Sequence, residues 1–143
     1  MKGLLLALPA ACLLLGCSKS PDTAETPGPD PAQTIAAGLK VYTANCAVCH
    51  QVDGYGVSNV QPALVDDDIA AGDPNLLIKA VLKGPAGVIP ADRPRYSNAM
   101  PPFKQLSDQD IADVLTYVRH EFNHGAPPVN AQQVQTVRAQ NGL

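Results

Sequence analysis

The residues best equipped for chemistry stand together at Cys46-Ala47-Val48-Cys49-His50. Two thiols one helical turn apart, followed at once by an imidazole, form the CxxCH pattern of covalent haem attachment: the cysteines reach two vinyl groups and the histidine meets the iron. A zinc site would require two further ligands at suitable spacing, and a redox dithiol would require a βαβ setting; the chain has neither pattern. His50 completes the motif, so one covalent haem c is the expected cofactor.

The far side of the iron needs its own ligand. Beyond residue 16, Met100 is the sole methionine, and the other histidines are His120 and His124. His120 lies nine residues after Ile111, which turns it to the opposite, solvent face of a shared helix. His124 stands next to Gly125 at a helix end. Met100 sits in a proline-rich stretch, residues 84 to 103, that Pro101 and Pro102 stiffen and that has the length to close over a distal haem face. His50 and Met100 are therefore the expected axial ligands. Tyr96, Phe103 and Leu64 are expected to wall the haem because they lie near the ligands in sequence.

Helices must position these groups. Asp30 with Pro31, and Asp73 with Pro74, combine a capping carboxylate with proline at the first helical position. Gln33 is placed to complete a capping box with Asp30. Ile35, Leu39 and Tyr42 form a helical face leading to Cys46, and Gly38 suits a close helix crossing. Leu77, Ala80 and Val81 mark a short helix at 74 to 83. Ser107 with Asp110 caps the clearest helix, whose stripe is Ile111, Leu115, Val118 and Phe122, widened by Val114 and Tyr117. Asn130 with Gln133 opens a last helix, with Val129 placed to staple onto Val134. Asp66-Asp67-Asp68 reads as a solvated turn, since a calcium loop needs alternating oxygen ligands. No strand pattern competes, so the class is all-α. The absence of tryptophan and the presence of six aromatics call for a cofactor to fill the core.

The N-terminus has a different job. Lys2 followed by the apolar run Gly3 to Leu15 has the form of a secretory signal. Leu14-Leu15-Gly16-Cys17 resembles the lipobox of bacterial lipoproteins, with Cys17 lipidated and residues 1–16 removed. Ser18, where an Asp is absent, resembles lipoproteins sorted to the outer membrane of a Gram-negative cell. Residues 17–31 are rich in proline and read as a tether, and residues 32–143 form the folded domain with a helical tail. Cys12 leaves with the signal, Cys17 takes lipid, and Cys46 and Cys49 take haem, so no pair remains for a disulfide. Loss of Lys2 leaves nine basic against 13 acidic residues, a formal charge of −4, which argues against nucleic-acid binding.

Gly38, Tyr42, Cys46–His50, Gly54-Tyr55-Gly56, Pro62-Ala63-Leu64, Met100-Pro101-Pro102-Phe103 and the Leu106-to-Phe122 helix together resemble a class I, mono-haem cytochrome c. The resemblance implies that Gly38 meets Leu115 or Tyr117 where two helices cross, and that the Pro62 carbonyl accepts a hydrogen bond from the His50 ring. The stretches 45–56, 106–119 and 129–138 are also similar to the cytochrome c modules of bacterial alcohol and sugar dehydrogenases. The implied function is single-electron transfer at the periplasmic face, from a dehydrogenase donor to an oxidase or reductase acceptor, with the membrane engaged through the lipid. The expected role is that of a carrier, not an enzyme. The alternatives are a dedicated cytochrome subunit of a dehydrogenase, or a haem enzyme or gas sensor. The last would need an open, polar distal position, against which Met100 and its prolines argue.

Overall fold

The computed structural model describes residues 30–90 and 96–143; the signal, Cys17 and the tether up to residue 29 lie outside the described residues. Six helices follow in order: α1 (Pro31–Asn45), α2 (Ala47–His50), α3 (Asp68–Ala71), α4 (Pro74–Lys83), α5 (Asp108–Glu121) and α6 (Ala131–Gln140). Among the described residues the only extended pairing is an isolated bridge between Val57 and Gln61, so the fold is all-α.

Local chemistry accounts for the helix starts. The Asp30 carboxylate accepts from the Ala32 amide at 3.0 Å with Pro31 at the first turn, which makes Pro31 the first helical residue, not the last of the tether. Asp30 caps through Ala32 alone, and the reciprocal bond expected from Gln33 is not formed. Asp73 caps α4 through Asn75 at 2.9 Å. Both expected capping boxes are closed: Ser107 with Asp110 on α5, and Asn130 with Gln133 on α6. The Asp67 side chain caps α3 by accepting from Ile69 and Ala70, which gives the acidic run a structural role as a helix start.

The frame is the crossing of α1 with α5. A Cβ on Gly38 would collide with the Asp113 carbonyl and stand 2.6 Å from Tyr117 Cβ. Contact is therefore backbone to backbone, with Tyr117 as the partner side chain. This explains a departure from the expected face of α1. The buried seam runs through Gly38 and Tyr42, whereas Leu39 is 46 % exposed, because a seam centred on a residue without a side chain turns its neighbour outward. Tyr42, Tyr117 and Phe122 then close a triangle of rings with centroids 5.3, 5.4 and 5.6 Å apart. Phe122 meets both tyrosines edge to face, as aromatic quadrupoles favour, while the tyrosines are tilted against each other.

From Ile111 to Arg119 every residue of α5 is buried, since α1 covers one side and α4 and α6 the others. The same enclosure buries Ile78 and Leu82 of α4 completely while Val81 is only partly covered. The short apolar face read from Leu77, Ala80 and Val81 is thus one side of a helix packed on two. Val134 and Val137 anchor α6 in this core with Val129. Each fully buried aliphatic side chain of this kind contributes about 1.5–3 kcal/mol relative to exposure.

Candidate functional site

The attachment motif occupies the bend between α1 and the loop that follows. Cys46 ends α1, and the amides of Cys49 and His50 both donate to the Cys46 carbonyl, at 3.0 and 2.9 Å. A single turn results, with the thiols on consecutive rungs and His50 immediately beyond them. Gln51 stops the turn with φ 62°, and the buried Tyr42 hydroxyl donates to the Gln51 carbonyl at 2.6 Å. The α1–α5 aromatic core therefore sets where the motif ends.

His50 is 7 % exposed, and its Nδ1 lies 3.0 Å from the Pro62 carbonyl. Burial lowers the imidazole pKa, and the bond to Pro62 opposes that shift only in part. The ring is accordingly neutral, Nδ1–H donates to Pro62, and Nε2 keeps the lone pair that a metal requires. Burial, with Cys49 adding to it, pushes the Cys46 thiol up to about 11. As free thiols the two cysteines remain unpaired with each other.

The loop bearing Pro62 is itself fixed. Gly56 donates to the His50 carbonyl at 3.0 Å, Leu64 to the Gly54 carbonyl at 2.7 Å, and Val57 to Gln61 at 3.1 Å. Gly56 adopts φ +64°, and a Cβ there would collide with the Pro62 oxygen that holds His50. Asn123, buried just after α5, donates its amide to the carbonyls of Leu64 and Val118 and accepts from the Asp67 amide. Sequence reasoning did not single out Asn123. Its position past a helix end carries no periodic signal, and two of its three partners, Leu64 and Asp67, lie more than fifty residues away.

The methionine segment forms a second wall. Ser97 and Asn98 donate to the carbonyls of Asn59 and Val60 at 3.1 and 3.2 Å, directly upstream of Pro62. Phe103 donates to Val81 of α4 at 2.9 Å. Between these ties, the Met100 carbonyl faces Gly84, where a Cβ would stand 3.1 Å away. Met100, Phe103, Pro62 and Leu64 are partly buried, whereas Tyr96 is 38 % exposed. The structure thus brings Pro62 onto His50 and joins the segments of Pro62 and Met100 through their backbones.

The competing histidines face solvent. His124 Nε2 lies 2.6 Å from Asp66, and His120 Nδ1 lies 2.8 Å from Glu121. Among the described residues no cluster of His, Cys, Asp or Glu side chains gathers to hold a metal ion of its own. The groups present fit a haem: two thiols on one turn, a neutral imidazole with Nε2 unengaged, and a methionine loop stitched to the same frame.

A helical scaffold that presents a CxxCH turn in this way defines a c-type haem protein. Residues 35–121 match the family model described as Cytochrome c, and the chain belongs to the cytochrome c family, whose cofactor is covalently bound haem c. Among similar proteins is the cytochrome c subunit of the quinone alcohol dehydrogenase of Gluconobacter oxydans, 38 % identical over 78 % of this chain and 26 % of that protein. The cytochrome c subunit of gluconate 2-dehydrogenase from Pantoea cypripedii is 36 % identical over 76 % of this chain and 25 % of its own length. Cytochrome c-552 of Thermus thermophilus is 34 % identical over 73 % of this chain and 86 % of its own. The chain therefore spans about a quarter of the dehydrogenase subunits and most of the small cytochrome.

Proposed function

We propose that this chain is a periplasmic, lipid-anchored electron-transfer protein whose haem is held by Cys46 and Cys49 and ligated by His50 and Met100. The observation that carries the reading is the buried His50 directly after Cys49, with Nδ1 committed to the Pro62 carbonyl at 3.0 Å. When bound, haem iron supplies a one-electron change between Fe(II) and Fe(III). The protein's own residues do the rest. Pro62 holds the imidazole in one tautomer and raises its basicity. The ties of residues 97, 98 and 103 hold the Met100 segment in place, so little rearrangement accompanies a change of charge. Val48, Val52 and Tyr55 stand exposed beside the attachment turn and offer an apolar surface at which a redox partner could approach the haem edge. The apolar run Gly3–Leu15 and Cys17 support an exported, membrane-tethered form, with the proline-rich stretch ahead of α1 as the tether.

A second reading, a dedicated cytochrome subunit of a periplasmic dehydrogenase, is favoured by the names of the relatives, of whose subunits this chain spans about a quarter. It shares the electron-transfer role. An enzyme or gas sensor is separated from both by carbon monoxide. Reduced protein with a closed sixth position binds it slowly or not at all, whereas rapid binding by native reduced protein would contradict the carrier.

A further inference from the structure

The terminal helix α6 lies beyond the residues matched by the family model, yet one of its side chains reaches back to the methionine segment. Arg138 Nε donates to the Asp108 carboxylate at 2.8 Å, and its two terminal nitrogens donate to the carbonyls of Leu106 at 2.9 Å and Lys104 at 3.2 Å. The side chain is 19 % exposed. Three acceptors on a turn only four to eight residues after Met100 thus converge on one planar, permanently charged fork, a geometry that lysine cannot reproduce. The base of the fork is fixed independently, since Val134 and Val137 are buried in the core and Asn141 and Leu143 donate back to the Arg138 carbonyl.

We propose that Arg138 is a positioning residue for the Met100 ligand, holding shut the exit of the loop that carries it. Among the described residues the segment has three ties: Asn59 and Val60 at its entrance, Val81 at Phe103, and Arg138 at its exit. Only the exit tie is charge-assisted, and such bonds are roughly twice as strong as neutral ones. Opening the loop to release the methionine sulfur requires the 103–106 turn to move. Arg138 raises the barrier to that motion from a helix outside the matched domain. The second large guanidinium clasp, Arg119, holds the carbonyls of Pro127, Ala70 and Gly72, and none of its hydrogen bonds among the described residues goes to the ligand loop, so the assignment is specific to Arg138. The proposal rests on the reading of Met100 as the axial ligand.

The test uses ferric holoprotein and imidazole, which displaces a methionine ligand at a rate limited, at saturation, by loop opening. Arg138→Gln should raise that limiting rate about tenfold, the scale of losing a charge-assisted set of hydrogen bonds. Amide exchange should quicken at 97–106 and stay unchanged in α1 and α5. Arg138→Lys, which keeps the charge near Asp108 but cannot bridge both carbonyls, should give an intermediate rise of about threefold, and it carries the test if the Gln variant fails to fold. Thr116→Val removes the Thr116–Val129 bonds that fasten the same tail elsewhere and should change the rate less than about twofold. An unchanged rate in both Arg138 variants, or an equal rise in Thr116→Val, would overturn the proposal. If Met100→Ala leaves the ferric spectrum unaltered, the ligand assignment itself fails and the proposal falls with it. A spectrum altered by Met100→Ala, together with unchanged rates in the Arg138 variants, removes the clamp alone.

Discussion

At Gly56 the site depends on a missing side chain. The residue combines φ +64° with a Pro62 oxygen where a Cβ would have to sit, so two separate penalties fall on any replacement. Gly56→Ala should cost at least about 1–2 kcal/mol from the left-handed backbone alone, read by denaturant unfolding of the holoprotein. It should also displace the Pro62 carbonyl, weaken the bond to His50 Nδ1 and make the imidazole a poorer donor, so the reduction potential should rise. A loss of stability with an unchanged potential would mean that Pro62 yields without disturbing His50. The contrast between these residues shows what can be read without coordinates. Cys46, Cys49 and His50 are legible because the chemistry lies within five residues. Asn123 and the collision between Gly56 and Pro62 are contacts between segments, and neither residue type announces its partner.

The helices follow the same division. Starts at Asp30, Asp73, Ser107 and Asn130 are local hydrogen-bond events within three residues, and each is visible in the sequence. The one-turn helices α2 and α3 are too short to show a period and appear only in the structure. Burial on more than one side reaches past the apolar stripe, as in α5, where Asp113, Thr116 and Arg119 are enclosed together with the apolar residues that the period picks out. The α1–α5 crossing gives a quantitative test. Gly38→Ala gains about 1 kcal/mol of helix propensity, but the new Cβ meets the Asp113 carbonyl and Tyr117, where overpacking costs about 1–3 kcal/mol and backbone atoms cannot step aside. The clash should win, giving a net loss of stability in thermal or denaturant unfolding. Because Tyr42 on the same seam reaches Gln51, the strain should also loosen the attachment turn. A stabilised Gly38→Ala protein would show that the helices separate freely.

For the whole molecule, the frame is one helical crossing with two loops fastened to it, one holding the His50 carbonyl partner and one bearing Met100. The tail closes the second loop through Arg138, a relation between residues more than thirty apart that no local pattern encodes. Among the described residues no helix is long and apolar enough to cross a membrane; in the proposed function the attachment is the lipid on Cys17. The central claim is that His50 and Met100 occupy the two axial positions of one covalently held haem. It is tested most directly by the long-wavelength methionine-to-iron(III) charge-transfer band of the ferric protein. The account predicts that the band is present in the native protein and absent from Met100→Ala, with a lower reduction potential in the variant. A band that survives the substitution, or a native spectrum that lacks it, would contradict the account.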